Sequence, residues 1–164
     1  MANTYSLIAS STVGSGGVSS VTFSSIPASY TDLMLKSSTR NSGSNIGNYS
    51  AFSINSVTPS GIYIQGNGAA ASSGTSQYGQ METGGAATAN CFSNAETYFT
   101  NYTSSSNKFF TNDSIVENDA ATAYQSITAG TVSTTSAITS IVITPATGTF
   151  VQYSTFYLYG ILNS

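Results

Sequence analysis

The chain has 164 residues, the span of one domain and long enough to bury a sizeable core. Charged residues make up 5 % of it, against about 25 % in an ordinary soluble domain, and six acids against three bases leave a net charge of −3. With no histidine and a single cysteine, Cys91, composition excludes Ser-His-Asp and Cys-His catalysis, imidazole metal sites and an intrachain disulfide.

The surface must therefore be built from Ser, Thr, Asn, Gly and Tyr. A polar, nearly uncharged surface repels copies of itself weakly and suits a chain that lives against other protein. The 11 Tyr and 8 Phe recur with Ile and Val in alternating runs, which argues against disorder.

The dominant period is two. "TYSLIAS" (residues 4–10) reads as a first strand, followed by a turn in which Gly14, Gly16 and Gly17 supply positive φ. "VSSVTFSSI" (18–26) puts Val21 and Phe23 on one face and is ended by Pro27, which has no N–H to give a ladder. "TDLMLKSS" (31–38) points Leu33 and Leu35 one way and Asp32, Met34 and Lys36 the other. "NYSAFSIN" (48–55) and "GIYIQG" (61–66) predict two strands with a turn at Pro59, Ser60 and Gly61. Residues 66–85, rich in Gly, Ala and Ser, break the alternation and read as a long surface loop, a place for recognition.

Alternation resumes in residues 86–103, where Ala95, Thr97 and Phe99 oppose Glu96, Tyr98 and Tyr102. Strands follow at "NKFFTNDSIVEN" (107–118), "TAYQSITAGTVS" (122–133), "AITSIVITP" (137–145) and "FVQYSTFYLYGI" (150–161), with one weak helical turn around 117–123. The expected fold is all-β: one domain over residues 1–164, an antiparallel β-sandwich of jelly-roll or Greek-key type with about ten strands.

Little in the chain marks chemistry. Cys91 has no basic neighbour in sequence and reads as a small core hydrophobe. The carboxylates are Asp32, Glu82, Glu96, Asp113, Glu117 and Asp119, and no pair of them is singled out for hydrolysis. Asp113, Glu117 and Asp119, with Asn112 and Asn118, form the one acidic cluster; it offers oxygen ligands for calcium but lacks EF-hand spacing, and a solvated turn is the simpler reading. The glycine runs around Gly14 and Gly66 lack the Lys-Ser/Thr of a phosphate loop. Lys36, Arg40 and Lys108 are the only bases, so we expect no nucleic-acid partner, and we expect no cofactor. No run approaches the roughly 18 apolar residues of a membrane helix, and "MANTYSLIAS" shows no basic n-region or apolar h-region, so we expect folding in a cytoplasm and no membrane partner.

Aromatic surface remains. In "STFYLYGI" (154–161) one strand face holds Phe156 and Leu158, while the other is expected to hold Tyr153, Tyr157 and Tyr159. A second buried layer, a ligand platform or a subunit contact would each use such tyrosines. With Tyr98 and Tyr102 they are the candidate interface residues, and the absence of Trp favours protein over sugar.

The segment "YSLIASSTVGSGGVSSVTFSSIPASYTDLMLK" (5–36) resembles a pattern common in tailed-phage structural proteins, above all those of marine and cyanobacterial phages: strand, Gly turn, strand, Ile-Pro, then Tyr-Thr-Asp-Leu. Residues 117–161, closing on Leu158-Tyr159-Gly160-Ile161, are similar to the ending of the same group, and residues 41–85 depart from it most. The resemblance implies a non-enzymatic virion component assembled in the host cytoplasm, with no catalytic or metal residue carried over. The expected role is a capsid decoration or cement protein, a homo-oligomer, as a trimer, bound to the major capsid protein. The alternative is a tail-fibre or receptor-binding tip that meets a host glycan or protein through residues 66–85 and exposed tyrosines, although no long shaft is visible. A jelly-roll carbohydrate-active enzyme is the third reading.

Overall fold

The period of two is realised as twelve strands in the computed structural model, which describes residues 4–76, 78–118 and 122–162. They are β1 (Tyr5–Thr12), β2 (Val21–Phe23), β3 (Asp32–Thr39), β4 (Gly47–Ile54), β5 (Ser60–Gly66), β6 (Ala71–Ser76), β7 (Tyr78–Thr83), β8 (Ser93–Thr100), β9 (Lys108–Asn118), β10 (Thr122–Val132), β11 (Ile141–Pro145) and β12 (Thr155–Ile161). Eight form one sheet in the order β1-β12-β3-β8-β9-β10-β5-β6, and four form a second, β2-β11-β4-β7. All neighbours are antiparallel, and the described residues contain no helix: the fold is the expected β-sandwich.

The core lies between the sheets. Leu33, Leu35, Phe99, Phe156 and Leu158 of the large sheet face Val21, Phe23, Phe52, Ile54, Ile141 and Ile143 of the small one. Phe52, Phe99 and Phe110 form its aromatic centre, with ring centroids 5.6–6.3 Å apart. Two glycines make room for these rings, since a Cβ at Gly79 would strike Phe52 and one at Gly130 would strike Phe110.

Three local expectations need correction. The turn after β4 is not at Pro59–Gly61. It is the pair Asn55 and Ser56, both in the left-handed region (φ 49° and 66°), closed by reciprocal bonds between Ile54 and Val57 of 2.9 and 2.8 Å. The Asn55 side chain then ties this turn to the next segment: its Oδ1 accepts from Thr139 N and Ser140 N, and its Nδ2 donates to Ala137 O. The helical turn around 117–123 is also absent where it is described, because β9 runs to Asn118 and β10 begins opposite it at Thr122.

The third correction matters most. Residues 66–85 are not a long loop, because they carry β6, an edge strand, and β7. From Gly79 to Gly84 every residue is buried. β7 packs against the large sheet: Gln80 accepts a bond from Ser37 of β3, while the Met81 amide donates to Ser114 of β9. Beyond it, Tyr49 of β4 donates to Gln65 of β5 over 2.5 Å. Polar residues occupy this buried strand, so no apolar period announced it.

Candidate functional site

The outward face of the large sheet is the site that the fold builds. Antiparallel register sets one row of side chains across it: Leu7, Tyr159, Met34, Tyr98, Thr111, Ala129 and Ile62. Beside it run Tyr157, Lys36, Glu96, Asp113, Ile127 and Ile64. Tyr157 and Tyr159 stand on this face while Phe156 and Leu158 are buried, as alternation requires. Tyr5 joins them edge-on to Tyr159, with centroids 6.3 Å apart. Tyr98 stands on the same face, its hydroxyl held 2.6 Å from Asp32 Oδ2.

Two of the five candidate tyrosines fall elsewhere. Tyr153 is exposed, but it precedes β12 in a turn with φ 72°, so strand alternation does not place it on the face. Tyr102 is fully buried, and its hydroxyl donates to Pro27 O, which makes it core rather than surface. Burial raises its phenol above the usual range. The tyrosine surface is therefore Tyr98, Tyr157 and Tyr159, with Tyr5, Leu7 and Met34 added by register. Replacing Tyr157 with Ser is expected to change unfolding free energy by less than about 1 kcal/mol, as at other surface positions. Denaturant melts check it, and a loss above about 2 kcal/mol would make the residue core.

Across the sheet, on β9, β10 and β5, the usual polarity is reversed. Phe109, Ile115, Ile127, Ile62 and Ile64 point outward, and the last two are 64 % and 65 % exposed. Asn112, Ser114, Ser126 and Thr128 of the same strands point inward and are buried. Two of the inward groups are bonded locally: Asn112 Nδ2 donates to Thr97 Oγ1 over 2.8 Å, and Ser114 Oγ accepts the Met81 amide over 3.0 Å, while Asn112 Oδ1 stays unpartnered. Because alternation is strict, the polar layer that faces β7 puts Ile115 and Ile127 on the outside, while Phe110, Val116 and Val132 of the same strands stay in the core.

Ile64 and Ile127 sit directly opposite one another and form a ridge. A hollow of about 1020 Å³ lies to one side, walled by Phe109 and Ile62 over Thr111 and Ala129. A second of about 520 Å³ lies to the other side, beside Ile115 and Gly66. Sequence reasoning missed this patch. Its one signal was "GIYIQG", where Ile62 and Ile64 alternate with Tyr63 and Gln65, so that both faces carry large side chains.

The charged groups are distributed as follows. Lys36 and Glu96 form an exposed 2.7 Å pair, the only ion pair among the described residues. The Glu96 hydrogen bond raises the Lys36 pKa. Glu96 lies opposite Asp113 on β9, which brings two carboxylates together on an open sheet, and Gln125 donates to Asp113 over 3.1 Å. Asp32 holds the Asn101 amide as well as Tyr98. Of the acidic calcium candidates only Asp113 has a described side chain, since that of Glu117 and the whole of Asp119 lie outside the described residues, and Asn112 beside it points inward to Thr97. Among the described residues no three carboxylate or thiol groups gather.

The remaining charges are internal. Arg40 is buried and donates to four carbonyls, those of Gly85, Ala87, Thr88 and Cys91. Lys108 is buried on Ser104 O and Ser106 O, each 2.5 Å away, and desolvation lowers its pKa. Glu82 on β7 is fully buried. Desolvation pushes its carboxyl up to about 7, with Ser50 and Asn41 beside it offsetting only part of that cost. Neither neighbour reaches hydrogen-bond geometry, and both carboxyl oxygens stay unpartnered.

Compared with protein-family models, with curated proteins and with solved structures, the chain finds no match.

Proposed function

We propose that this chain is a non-enzymatic structural protein of a tailed-phage particle, a capsid decoration or cement protein that binds the outer shell and braces capsomer contacts. The observation that carries this reading is the broad outward face, where exposed Ile, Phe and Tyr side chains outnumber a thin band of charge at Lys36, Glu96 and Asp113. An exposed apolar patch of this size on a well-packed domain marks a protein contact. Association through it would be driven by burial of apolar and tyrosine surface, with little dependence on salt. The likeness of residues 5–36 and 117–161 to tailed-phage structural proteins supplies the particle.

The copy number of the chain in purified particles tests the reading, by quantitative mass spectrometry against the major capsid protein. A ratio near one, or a simple fraction of it, is expected, together with retention on the particle in about 1 M salt. A ratio of a few per hundred would move the protein to the tail. The grouping of Tyr5, Tyr157 and Tyr159 favours that second reading, since flat rings with polar tips stack under sugars in a receptor-binding tip. Absence from particles would remove both.

A further inference from the structure

We infer that the apolar half of the outward face, on β9, β10 and β5, seats a second copy of this chain, each copy's Ile64–Ile127 ridge entering the hollow of the other. This rests on the reading of that face as a protein contact, but it needs no virion.

Three observations converge on a copy of the same chain as occupant. The first is area. Ile62, Ile64, Phe109, Ile115 and Ile127 are each 46–65 % exposed. Together they leave roughly 600 Å² of apolar side chain in water, at the upper end of what a monomer shows in one patch. With the floors of the two hollows, the face comes close to the roughly 800 Å² that each partner of a stable pair covers.

The second is shape. Ridge and hollow lie side by side on one surface: Ile64 and Ile127 form the ridge, and Phe109 and Ile62 wall the larger hollow above Ala129. A surface that carries both a projection and the recess beside it can match itself about a two-fold axis, which is the geometry of an isologous dimer.

The third is charge. The one described ionisable side chain in this half is Asp113, neighboured by Gln125 Nε2. Such a face has little to select a charged partner, and one carboxylate, held by Gln125, is all it sets against its own copy. It also explains why the inverted polarity of β9 and β10 is tolerated, since the isoleucines that their buried polar layer turns outward would be dry in the pair.

Light scattering on the purified chain, coupled to gel filtration at micromolar concentration, tests the inference. A species of twice the 16.9 kDa chain mass is expected. The double variant Ile64→Glu, Ile127→Glu is expected to run at the single-chain mass, with the dissociation constant raised about 100-fold or more, because each copy would bury unpaired carboxylates. Both positions are exposed in the single chain, so circular dichroism and melting of the variant are expected to stay near those of the parent. Tyr157→Ser, at the far end of the sheet, is expected to leave the mass unchanged. A parent that stays single at about 100 µM would overturn the inference, as would a dimer indifferent to the double variant or an assembly other than two-fold. Finding the dimer while the chain is absent from particles would keep the contact and sink only the phage role.

Discussion

Replacing Glu82 with Gln is expected to stabilise the protein by about 3 kcal/mol at pH 8 and to leave it almost unchanged at pH 4. Both carboxyl oxygens are buried without a hydrogen bond, and the folded-state pKa stands at about 7 against 4.5 for an ordinary Glu. A raised carboxyl pKa means that the folded protein keeps a proton which the unfolded chain releases. Below pH 4.5 both states hold it and nothing is lost. Between 4.5 and about 7 only the folded state holds it, so stability falls by about 1.4 kcal/mol for each pH unit; above that the full penalty is present. Glutamine cannot ionise and removes this slope. Urea midpoints of parent and variant at half-unit steps from pH 4 to 8.5 measure the effect. Parallel curves would show that the carboxyl is not desolvated as described.

Arg40→Met is expected to cost about 2–3 kcal/mol, a large fraction of the stability of a domain this size. The guanidinium gathers the carbonyls of Gly85, Ala87, Thr88 and Cys91 at 2.5–3.2 Å, and so holds together the segment that carries the chain from β7 to β8. Methionine fills the space but leaves the buried Ala87 carbonyl, and the part-buried carbonyls of Gly85, Thr88 and Cys91, without their donor. Arg40→Lys keeps the charge and loses the planar fork, so it is expected to recover less than half of the loss. Thermal melts give the magnitude, and amide exchange gives the place: protection should fall first in residues 84–92. A loss below about 1 kcal/mol would mean that water replaces the guanidinium without cost.

These two residues show where sequence reasoning stops. Arg40 reads in sequence as one of three bases, and Glu82 as one of six carboxylates, because nothing local marks a charge that tertiary packing will bury. The strands with apolar residues on one face and polar ones on the other were legible. Leu33, Leu35, Phe156 and Leu158 went inward as alternation demands, and the all-β sandwich followed from them. Tyr102 was lost because it lies beyond the end of β8, and Tyr153 because it lies before β12, where a period of two no longer sets direction.

The chain by itself determined its strands outside residues 66–85, its sheet-on-sheet architecture and the scarcity of charge, since these depend on neighbours two residues apart and on composition. Only the tertiary structure decided which face of β9, β10 and β5 meets solvent. Each of those strands mixes large and hydrogen-bonding side chains on both of its faces, so alternation alone does not say which is the inside. The packing of β7 against the large sheet chose. It placed Ser114 against the Met81 amide and Ser37 against Gln80, satisfied polar groups where apolar ones would have left backbone donors bare, and turned five large hydrophobic residues outward.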